Sequence, residues 1–356
     1  MKKKIFFLTE KLCNETGGAI YDNYFYNKLV KKYKNKVESI EDKNFTREVR
    51  SSNLFNFSKL YFKKFNDITN CDVLILNSRL YTRFVLPILF SKFKNKTCKI
   101  IMIHHHYNYM THKGIIKYIH KIFEINFLKI ADEIIIPNPY IKELTEKKSC
   151  IKGKKIDLES SFKEDNFKIS TGKNKKILFV GNIDKRKGII YAIKAFEKFS
   201  KNNPEYIFNI VGKYNENDKY TKELKRYIND NKLDNTINFV GRVDEEELES
   251  YYSNSDIFLF PSLNEGFGWV MMEAMAHGLP VIAFNNTAMP YTVKDGINGF
   301  LAPNLNVEEL SRLMKETLNN QELFEKLRLG AINTYKNANK ISDLDRDIEK
   351  YLEKLI

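Results

Sequence analysis

The chain has 356 residues, of which 43% are hydrophobic and 29% are charged, so it can build a sizeable core and disorder is not expected. At roughly 150 residues per domain, this length suits two α/β domains better than one. The formal net charge of +14 favours an anionic small molecule or membrane surface as a partner, although a composition bias towards Lys, Asn and Ile also fits. Because no RNP, zinc-finger or helix-turn-helix pattern is visible, we predict no nucleic-acid partner.

The first half of the chain alternates short apolar runs with longer amphipathic ones. This repeated order of strand, helix and strand predicts a parallel sheet with helices on both faces. The predicted strands are Lys4–Thr9, Asp72–Asn77, Lys99–His104 and Glu133–Pro137. The helical patterns are clearest at Ala19–Lys34, Tyr81–Phe93 and Ile115–Ile130. A polar, lysine-rich stretch, Lys147–Lys176, then predicts the end of this domain and a linker.

The second half repeats the pattern more clearly. Its predicted strands are Lys176–Val180, Tyr206–Val211, Thr236–Val240, Asp256–Phe260 and Val281–Phe284. The first four are followed directly by Gly181, Gly212, Gly241 and Pro261. Because open α/β sheets bind ligands at the carboxyl ends of their strands, the loops at these positions are candidate binding loops.

Cysteine usage and apolar run lengths bear on the compartment. The four cysteines are far apart and form no C-x-x-C pair, so neither a zinc site nor a disulfide framework is expected. The apolar run Ile5–Leu8 is too short for a signal peptide. No stretch reaches the roughly 18 apolar residues that a membrane span needs. We therefore predict a cytoplasmic protein and keep peripheral attachment to the inner face of the plasma membrane as an open addition.

The segment around Glu265 carries the most chemical information. Glu265 enters a turn that contains Gly266 and Gly268, and Glu273 lies in the helix that follows. Small turn residues let backbone N–H groups approach a ligand, and a helix N-terminus adds unpaired donors and a positive dipole end, so the turn is a candidate anion site. Two carboxylates beside such a site suit sugar hydroxyls, which donate hydrogen bonds to them. The alternative is a glycine turn with both glutamates in solvent, but the apolar helix around Glu273 disfavours it.

This segment resembles the E-x7-E signature of retaining GT-B glycosyltransferases, specifically glycosyltransferase family 4. Three further stretches resemble family segments in the same order: Phe179–Gly188, the diphosphate loop; Asn238–Arg242, beside the base; and Pro290–Leu301, which closes the second core. The resemblance implies an α/β GT-B fold, with two Rossmann-like domains whose parallel sheets face each other across a cleft. The implied divisions are an acceptor-side domain at 1–165, a nucleotide-sugar domain at 166–340, and a helix at 341–356 that packs back on the first domain.

The same resemblance implies roles for residues of the second domain. Glu265 is expected to be catalytic, near the transferred sugar, and Glu273 to accept hydrogen bonds from the donor ribose. The other implied donor-binding residues are Asn182, Arg186, Lys187, Arg242, Gly266, Phe267 and Gly268. Lys187 matches the lysine that neutralises the diphosphate. Asn182 stands where the family usually has arginine, so either Arg186 or Lys185 substitutes or phosphate binding is weaker.

Two features of the first half gain meaning from the resemblance. Gly17 and Gly18 resemble the family's N-terminal glycine loop, which faces the donor phosphates, although an ordinary turn between strand and helix fits them equally. His104 matches the active-site histidine and is expected to be catalytic by contacting the transferred sugar. The family usually has Asp after it, where this chain has His105. A metal site at His104–His106 is poor geometry, because consecutive residues at a strand end point in alternate directions.

The resemblance implies a retaining, metal-independent, hexosyltransferase-type enzyme without a cofactor, whose donor substrate is a nucleoside-diphosphate sugar. The string Asp343-Leu-Asp345 is predicted to be a solvated helix face, not a metal site. The expected acceptor is a glycan or a lipid-linked acceptor in bacterial surface polysaccharide or glycoconjugate synthesis. The basic, aromatic stretch Phe55–Phe65 is either an anionic-membrane contact or an ordinary amphipathic helix. The alternative functions are a GT-B nucleotide-sugar epimerase and a non-catalytic nucleotide-sugar binding module.

Overall fold

The structure, a computed structural model, describes residues 4–9, 17–41, 68–80, 88–89, 92–93, 97–147, 155–158, 167–172 and 174–355. It divides into two compact units. Unit 1 comprises Met1–Lys163 and Asn339–Ile356, and unit 2 comprises Glu164–Ala338. The predicted stretch Phe55–Phe65 and most of Tyr81–Phe93 lie outside the described residues.

Unit 1 contains a six-stranded parallel sheet in the order β2-β1-β3-β4-β5-β6. The strands are β1 (Ile5–Thr9), β2 (Val37–Glu41), β3 (Val73–Asn77), β4 (Lys99–Ile103), β5 (Glu133–Ile136) and β6 (Lys155–Asp157). The helices are α1 (Gly17–Tyr33), α2 (Gly114–Ile130) and α3 (Pro139–Glu146) among the described residues before unit 2. All four predicted strands are confirmed to within one residue at each end, because their apolar runs are buried on both faces of the sheet.

A helix from the end of the chain completes the core of unit 1. This helix, Ile341–Glu353, buries Leu344, Ile348 and Leu352 in the same cluster as Phe25 of α1. Their spacing of four residues places these side chains on one stripe of the helix. The C-terminal helix is joined to unit 1 because its apolar stripe and that of α1 are buried against each other, although the two segments are far apart in sequence.

The Asp343-Leu-Asp345 string lies on this same helix and is less solvated than predicted. Asp343 accepts a hydrogen bond from the backbone N–H of Lys340 at 3.2 Å and pairs with Arg346 at 2.9 Å. Asp345 pairs with Lys28 of α1 at 2.6 Å and accepts a hydrogen bond from the Tyr24 hydroxyl. The two carboxylates therefore act in helix capping and in packing.

Unit 2 contains a second six-stranded parallel sheet, in the order β12-β11-β10-β7-β8-β9. The strands are β7 (Lys176–Val180), β8 (Ile207–Val211), β9 (Ile237–Gly241), β10 (Ile257–Phe260), β11 (Val281–Phe284) and β12 (Gly299–Ala302). The helices are α4 (Ile189–Ser200), α5 (Lys219–Asp230), α6 (Glu245–Ser253), α7 (Trp269–Ala276), α8 (Met289–Thr292), α9 (Val307–Asn319) and α10 (Gln321–Lys336), and the C-terminal helix of unit 1 is α11. Each unit is thus a Rossmann-like domain built on a parallel sheet, as the sequence predicted.

No helix in the described part of the chain is both long enough and apolar enough to cross a membrane.

Candidate active site

The loops after β7 and β10 lie against each other because Gly188 permits it. Gly188 has a φ of 66°, and a Cβ at this position would overlap the carbonyl oxygen of Pro261. Two hydrogen bonds hold the two loops together. The Leu263 N–H and the Ser262 hydroxyl donate to the carbonyl oxygen of Arg186, at 2.8 Å and 3.1 Å. The turn Lys185–Lys187 is therefore fixed beside the loop that leads to Glu265.

Glu265 is the centre of a charged cluster at this edge of the sheet. Its Oε1 atom lies 2.6 Å from Nζ of Lys187, 2.9 Å from Nη1 of Arg186 and 2.9 Å from the hydroxyl of Ser262. The residue is only 9% exposed. Burial would raise the pKa of its carboxyl group, but the charges of Lys187 and Arg186 outweigh burial, so the pKa lies below the ordinary value. Glu265 is therefore an ionised acceptor with two cations beside it.

The two cations differ in their surroundings. Nζ of Lys187 lies 5.0 Å from the ring centroid of Phe260, and this side chain is 12% exposed. Arg186 also donates to the carbonyl oxygen of Asn264 at 2.8 Å and is 45% exposed. Both positive groups are thus fixed at the loop where the sequence predicts an anion.

Lys185 and Asn182 take no part in this cluster. Nζ of Lys185 lies 5.7 Å from the ring centroid of Tyr220. Asn182 is exposed, and its backbone carbonyl accepts a hydrogen bond from the N–H of Asp184 at 3.0 Å. Of the two proposed substitutes for the missing arginine, Arg186 is the one that the structure places with Lys187.

The glycine turn leads directly into α7. Gly268 is the residue before the helix, with a φ of 81°, and a Cβ there would collide with the side chain of Met271. The backbone N–H of Glu265 donates to the Thr287 hydroxyl at 3.1 Å, which fixes the start of the turn. Gly266 and Phe267 lie between, and the Phe267 carbonyl accepts a hydrogen bond from Thr292 at 3.5 Å. The first N–H groups of a helix have no partner within it, so this turn offers donors to an anion.

Glu273 projects from α7 and is held by Tyr252 of α6. The Tyr252 hydroxyl donates to Oε2 of Glu273 at 2.9 Å, and the Tyr252 ring stacks on His277 with 5.2 Å between ring centroids. Burial, with Glu273 beside it, raises the pKa of Tyr252 well above its ordinary value, so the hydroxyl remains a donor. Tyr252 therefore fixes the orientation of the Glu273 carboxylate.

Arg242, the other predicted donor-binding residue of unit 2, is exposed directly after β9.

A second polar cluster lies at the carboxyl edge of the unit 1 sheet. Nε2 of His105 lies 2.7 Å from Oδ1 of Asp22, and Oδ2 of Asp22 accepts hydrogen bonds from Thr9 and Asn77, both at 2.9 Å. Asp22 is 1% exposed. A carboxylate of α1 therefore contacts His105, the residue that stands where the family usually has Asp. The His105 ring also lies beside Gly18, whose Cβ position is 3.5 Å away.

His104 lies next to this cluster and is fully buried. Its Nδ1 atom lies 2.7 Å from the Ser78 hydroxyl, and its ring contacts Tyr107 at 4.3 Å between centroids. Gly17 begins α1. Within the described residues, no group of three His, Cys, Asp or Glu side chains is arranged to hold a metal ion.

Several contributors to these clusters were missed in the sequence, among them Asp22, Tyr252, Ser262 and Thr287. Ser262 carried a usable signal, because it follows β10 at the carboxyl edge of the predicted sheet. Asp22 and Tyr252 carried none, since each lies on a helix where a solvated polar residue is the usual interpretation. Their partners are 83 and 21 residues away in sequence.

Each unit places its polar cluster at the carboxyl ends of a parallel sheet, and the two units together define the GT-B class of fold. Solved structures support this class. Sucrose-phosphate synthase from Thermosynechococcus elongatus is similar with a TM-score of 0.76 and 17% identity over 99% of both chains. HepE from Anabaena, solved in complex with UDP and glucose, has a TM-score of 0.74 and 17% identity over 99% of this chain and 100% of its own.

Sequence comparisons find a family model that matches most of the second unit. Residues 161–334 match the family described as Glycosyl transferases group 1. An uncharacterized glycosyltransferase of Haemophilus influenzae is 31% identical over 52% of this chain and 49% of its own. The amylovoran biosynthesis glycosyltransferase of Erwinia amylovora is 31% identical over 39% of this chain and 35% of its own. The chain thus spans half or less of the length of these two curated relatives.

Proposed function

We propose that this protein is a glycosyltransferase that moves a sugar from a nucleoside-diphosphate sugar to a glycan or lipid-linked acceptor. The observation that carries the proposal is the cluster of Lys187, Arg186 and ionised Glu265 at the glycine turn before α7. It lies within the stretch that matches Glycosyl transferases group 1. Fixed cations and helix N–H groups suit a diphosphate, and a carboxylate suits a sugar hydroxyl.

The proposed chemistry follows from the charges at this loop. Departure of a nucleoside diphosphate builds negative charge on its phosphates, which Lys187 and Arg186 would stabilise from fixed positions. Glu265 already forms ion pairs with both Lys187 and Arg186, so a bound diphosphate would interact with these two cations alongside Glu265. Glu273, held by Tyr252, would accept hydrogen bonds from the donor ribose. His104, together with Gly17 and Gly18 at the start of α1, is proposed to serve the same reaction from unit 1.

Finer features of the activity are proposed on narrower support. The E-x7-E resemblance supports retention of anomeric configuration, family 4 membership and metal independence. The relative that is named for amylovoran biosynthesis supports a role in bacterial surface polysaccharide synthesis. We further propose a cytoplasmic location with a peripheral contact at the membrane. The anomeric coupling constant of the product in an NMR spectrum tests retention, and transfer in the presence of EDTA tests metal independence.

A thermal-shift screen of UDP, GDP, ADP and their sugars, without metal, tests donor binding first. A ligand at 100 times its dissociation constant stabilises the native state by about 2.7 kcal/mol, which gives a clear shift. A shift with one diphosphate identifies the donor class, whereas no shift with any of them contradicts the proposal. With the donor known, a glycoside formed only when acceptor is added supports transfer. A new free nucleotide sugar formed without acceptor would indicate the epimerase, and binding without turnover the binding module.

A further inference from the structure

Three neighbouring strands of unit 1 end in polar side chains that converge on one carboxylate. Thr9 ends β1 and Asn77 ends β3, and both donate hydrogen bonds to Oδ2 of Asp22 at 2.9 Å. His105 lies just after β4, and its Nε2 atom is 2.7 Å from Oδ1 of the same carboxylate. Both oxygens of Asp22 are therefore engaged at the carboxyl edge of the sheet, which is the edge where open α/β sheets bind ligands.

The ring of His105 is held from several sides. The side-chain amide of Asn138 donates to the carbonyl oxygen of His105 at 3.1 Å, and the ring meets that of Tyr21 edge to face, with 5.6 Å between centroids. The Cβ position of Gly18, at the start of α1, lies 3.5 Å from Cγ and Cδ2 and 3.6 Å from Nδ1, so it lies over the face of the ring. The ring edge that carries Nδ1 is therefore presented in a fixed direction.

Nδ1 is the nitrogen of His105 that remains available. Within the part of the chain that the structure describes, this atom has no hydrogen-bond partner, and it is not one of the fully enclosed polar atoms. Since a carboxylate only accepts hydrogen bonds, Nε2 carries the proton towards Asp22, and Nδ1 of the neutral ring keeps a lone pair. Nδ1 is thus a pre-oriented hydrogen-bond acceptor at the ligand-binding edge of unit 1.

We infer that Nδ1 of His105 binds a hydroxyl group of the sugar acceptor, and that Asp22 is the positioning residue that orients the ring. A hydroxyl donates to a neutral nitrogen, whereas an ionised phosphate has no proton to donate. The inference rests on the proposed function and deepens it, because a transferase must hold its acceptor as well as its donor. The bound hydroxyl keeps its proton, so no covalent step is assigned to His105.

The protonation of the ring is tested first, by ¹⁵N NMR of the full-length protein with labelled histidine at mildly alkaline pH. The signals missing from His105→Gln assign this residue, and we expect the proton on Nε2 and none on Nδ1. Methyl glycosides of glucose, galactose and N-acetylglucosamine are then the probes for hydroxyl binding. At least one of them should shift the Nδ1 resonance of the unchanged protein.

His105→Gln also separates the roles of the two ring nitrogens. Its amide can donate to Asp22 as Nε2 does, but it places no acceptor at Nδ1. We therefore expect a nearly unchanged melting temperature and an affinity for the glycoside that is about threefold to tenfold weaker by saturation-transfer NMR. His120→Gln is the matched control and should bind like the unchanged protein, because it makes the same change on α2, where His120 stacks on His112 with 4.0 Å between centroids.

Three results would overturn the inference: a proton on Nδ1, no shift of its resonance with any glycoside, or equal glycoside affinity in His105→Gln. The thermal shift given by the nucleotide sugar should be the same in both variants. Its loss in His105→Gln would place a group of the donor at Nδ1 and would also contradict the inference. A protein that binds a glycoside through His105 but shows no shift with any nucleotide would refute only the proposed function.

Discussion

Gly188 and Pro261 lie so close that the first residue has no room for a side chain, although 73 positions separate their numbers in the chain. This approach brings the turn Lys185–Lys187 to the loop of Glu265. We expect Gly188→Ala to lower the free energy of unfolding by more than about 2 kcal/mol, because it adds a clash to a left-handed backbone. It should also abolish the thermal shift with the donor nucleotide. Urea unfolding and the nucleotide screen measure the two effects.

Gly296→Ala is the control for that prediction. Gly296 has a similar φ of 71°, but no atom lies within 4 Å of its Cβ position. Its substitution should therefore cost only the backbone term of about 1 kcal/mol and leave nucleotide binding unchanged. Equal effects of the two substitutions would show that the close approach to Pro261 is unimportant.

Replacing Glu265 should stop transfer while the fold remains. Glu265→Gln keeps an oxygen for Ser262 and Lys187 but removes the negative charge, so we expect the turnover number to fall about a hundredfold or more. Glu265→Ala and Glu273→Ala should also cripple transfer without unfolding the protein. Turnover with donor and acceptor, together with circular dichroism, checks this. Near-normal turnover in both alanine variants would refute the assignment of the site.

The stability of the protein in acid should depend on Glu265. Its pKa is lowered in the folded state, so the stability that its charge contributes is fully present above its unfolded pKa of about 4.3 and is lost as the pH falls through the folded value. Glu265→Gln should therefore lose less stability than the unchanged protein when the pH is lowered from neutral into this range. Melting temperatures across the range measure this difference, and parallel curves would count against it.

Tyr252→Phe should weaken donor binding through Glu273. The substitution removes the hydroxyl that holds the carboxylate, so we expect a loss of about 1 kcal/mol in stability and a several-fold weaker affinity for the donor. Tyr206→Phe is the control, because Tyr206 precedes β8 at the opposite edge of the sheet. Titration calorimetry with the donor nucleotide compares the two. Equal affinities would mean that Glu273 needs no help in orientation.

Asp22→Asn should act on unit 1 alone. Asp22 accepts hydrogen bonds from Thr9 and Asn77 and pairs with His105 while almost fully buried. Loss of its charge should cost about 1–3 kcal/mol of unfolding free energy and reduce transfer, but leave the nucleotide shift unchanged. Asp345→Asn, in a more exposed pair with Lys28, should cost less. Unchanged unfolding free energy in Asp22→Asn would contradict the importance of this cluster.

The sequence predicted what depends on local pattern. Buried parallel strands are continuous apolar runs, so β1, β3, β4 and β5 were visible. By contrast, β2 (V-E-S-I-E) lies at a sheet edge with only two apolar residues, and β6 is only three residues long. The grouping of Arg186, Lys187 and Glu265 followed from the resemblance of their segments to a family. The choice between Lys185 and Arg186 depended on side-chain direction, which spacing does not fix.

Pairings between distant segments were out of reach of the sequence. Nothing near Asp22 indicates His105, because their meeting depends on how α1 packs across the sheet. The thiols of Cys71 and Cys98, 3.8 Å apart, meet for a similar reason just before neighbouring strands. The contact of α11 with α1 likewise combines two amphipathic stripes, each of which could have packed elsewhere.

The place of α11 has a consequence for synthesis of the chain. Unit 2 is one continuous segment and can fold as soon as Ala338 has left the ribosome, but unit 1 lacks part of its core until residues 341–353 follow. Since chains are made from the N-terminus at about 5–20 residues per second, the earlier-made unit is completed last. The apolar side chains of α1 that α11 covers must therefore wait, exposed to chaperones and proteases, throughout the synthesis of the whole second unit.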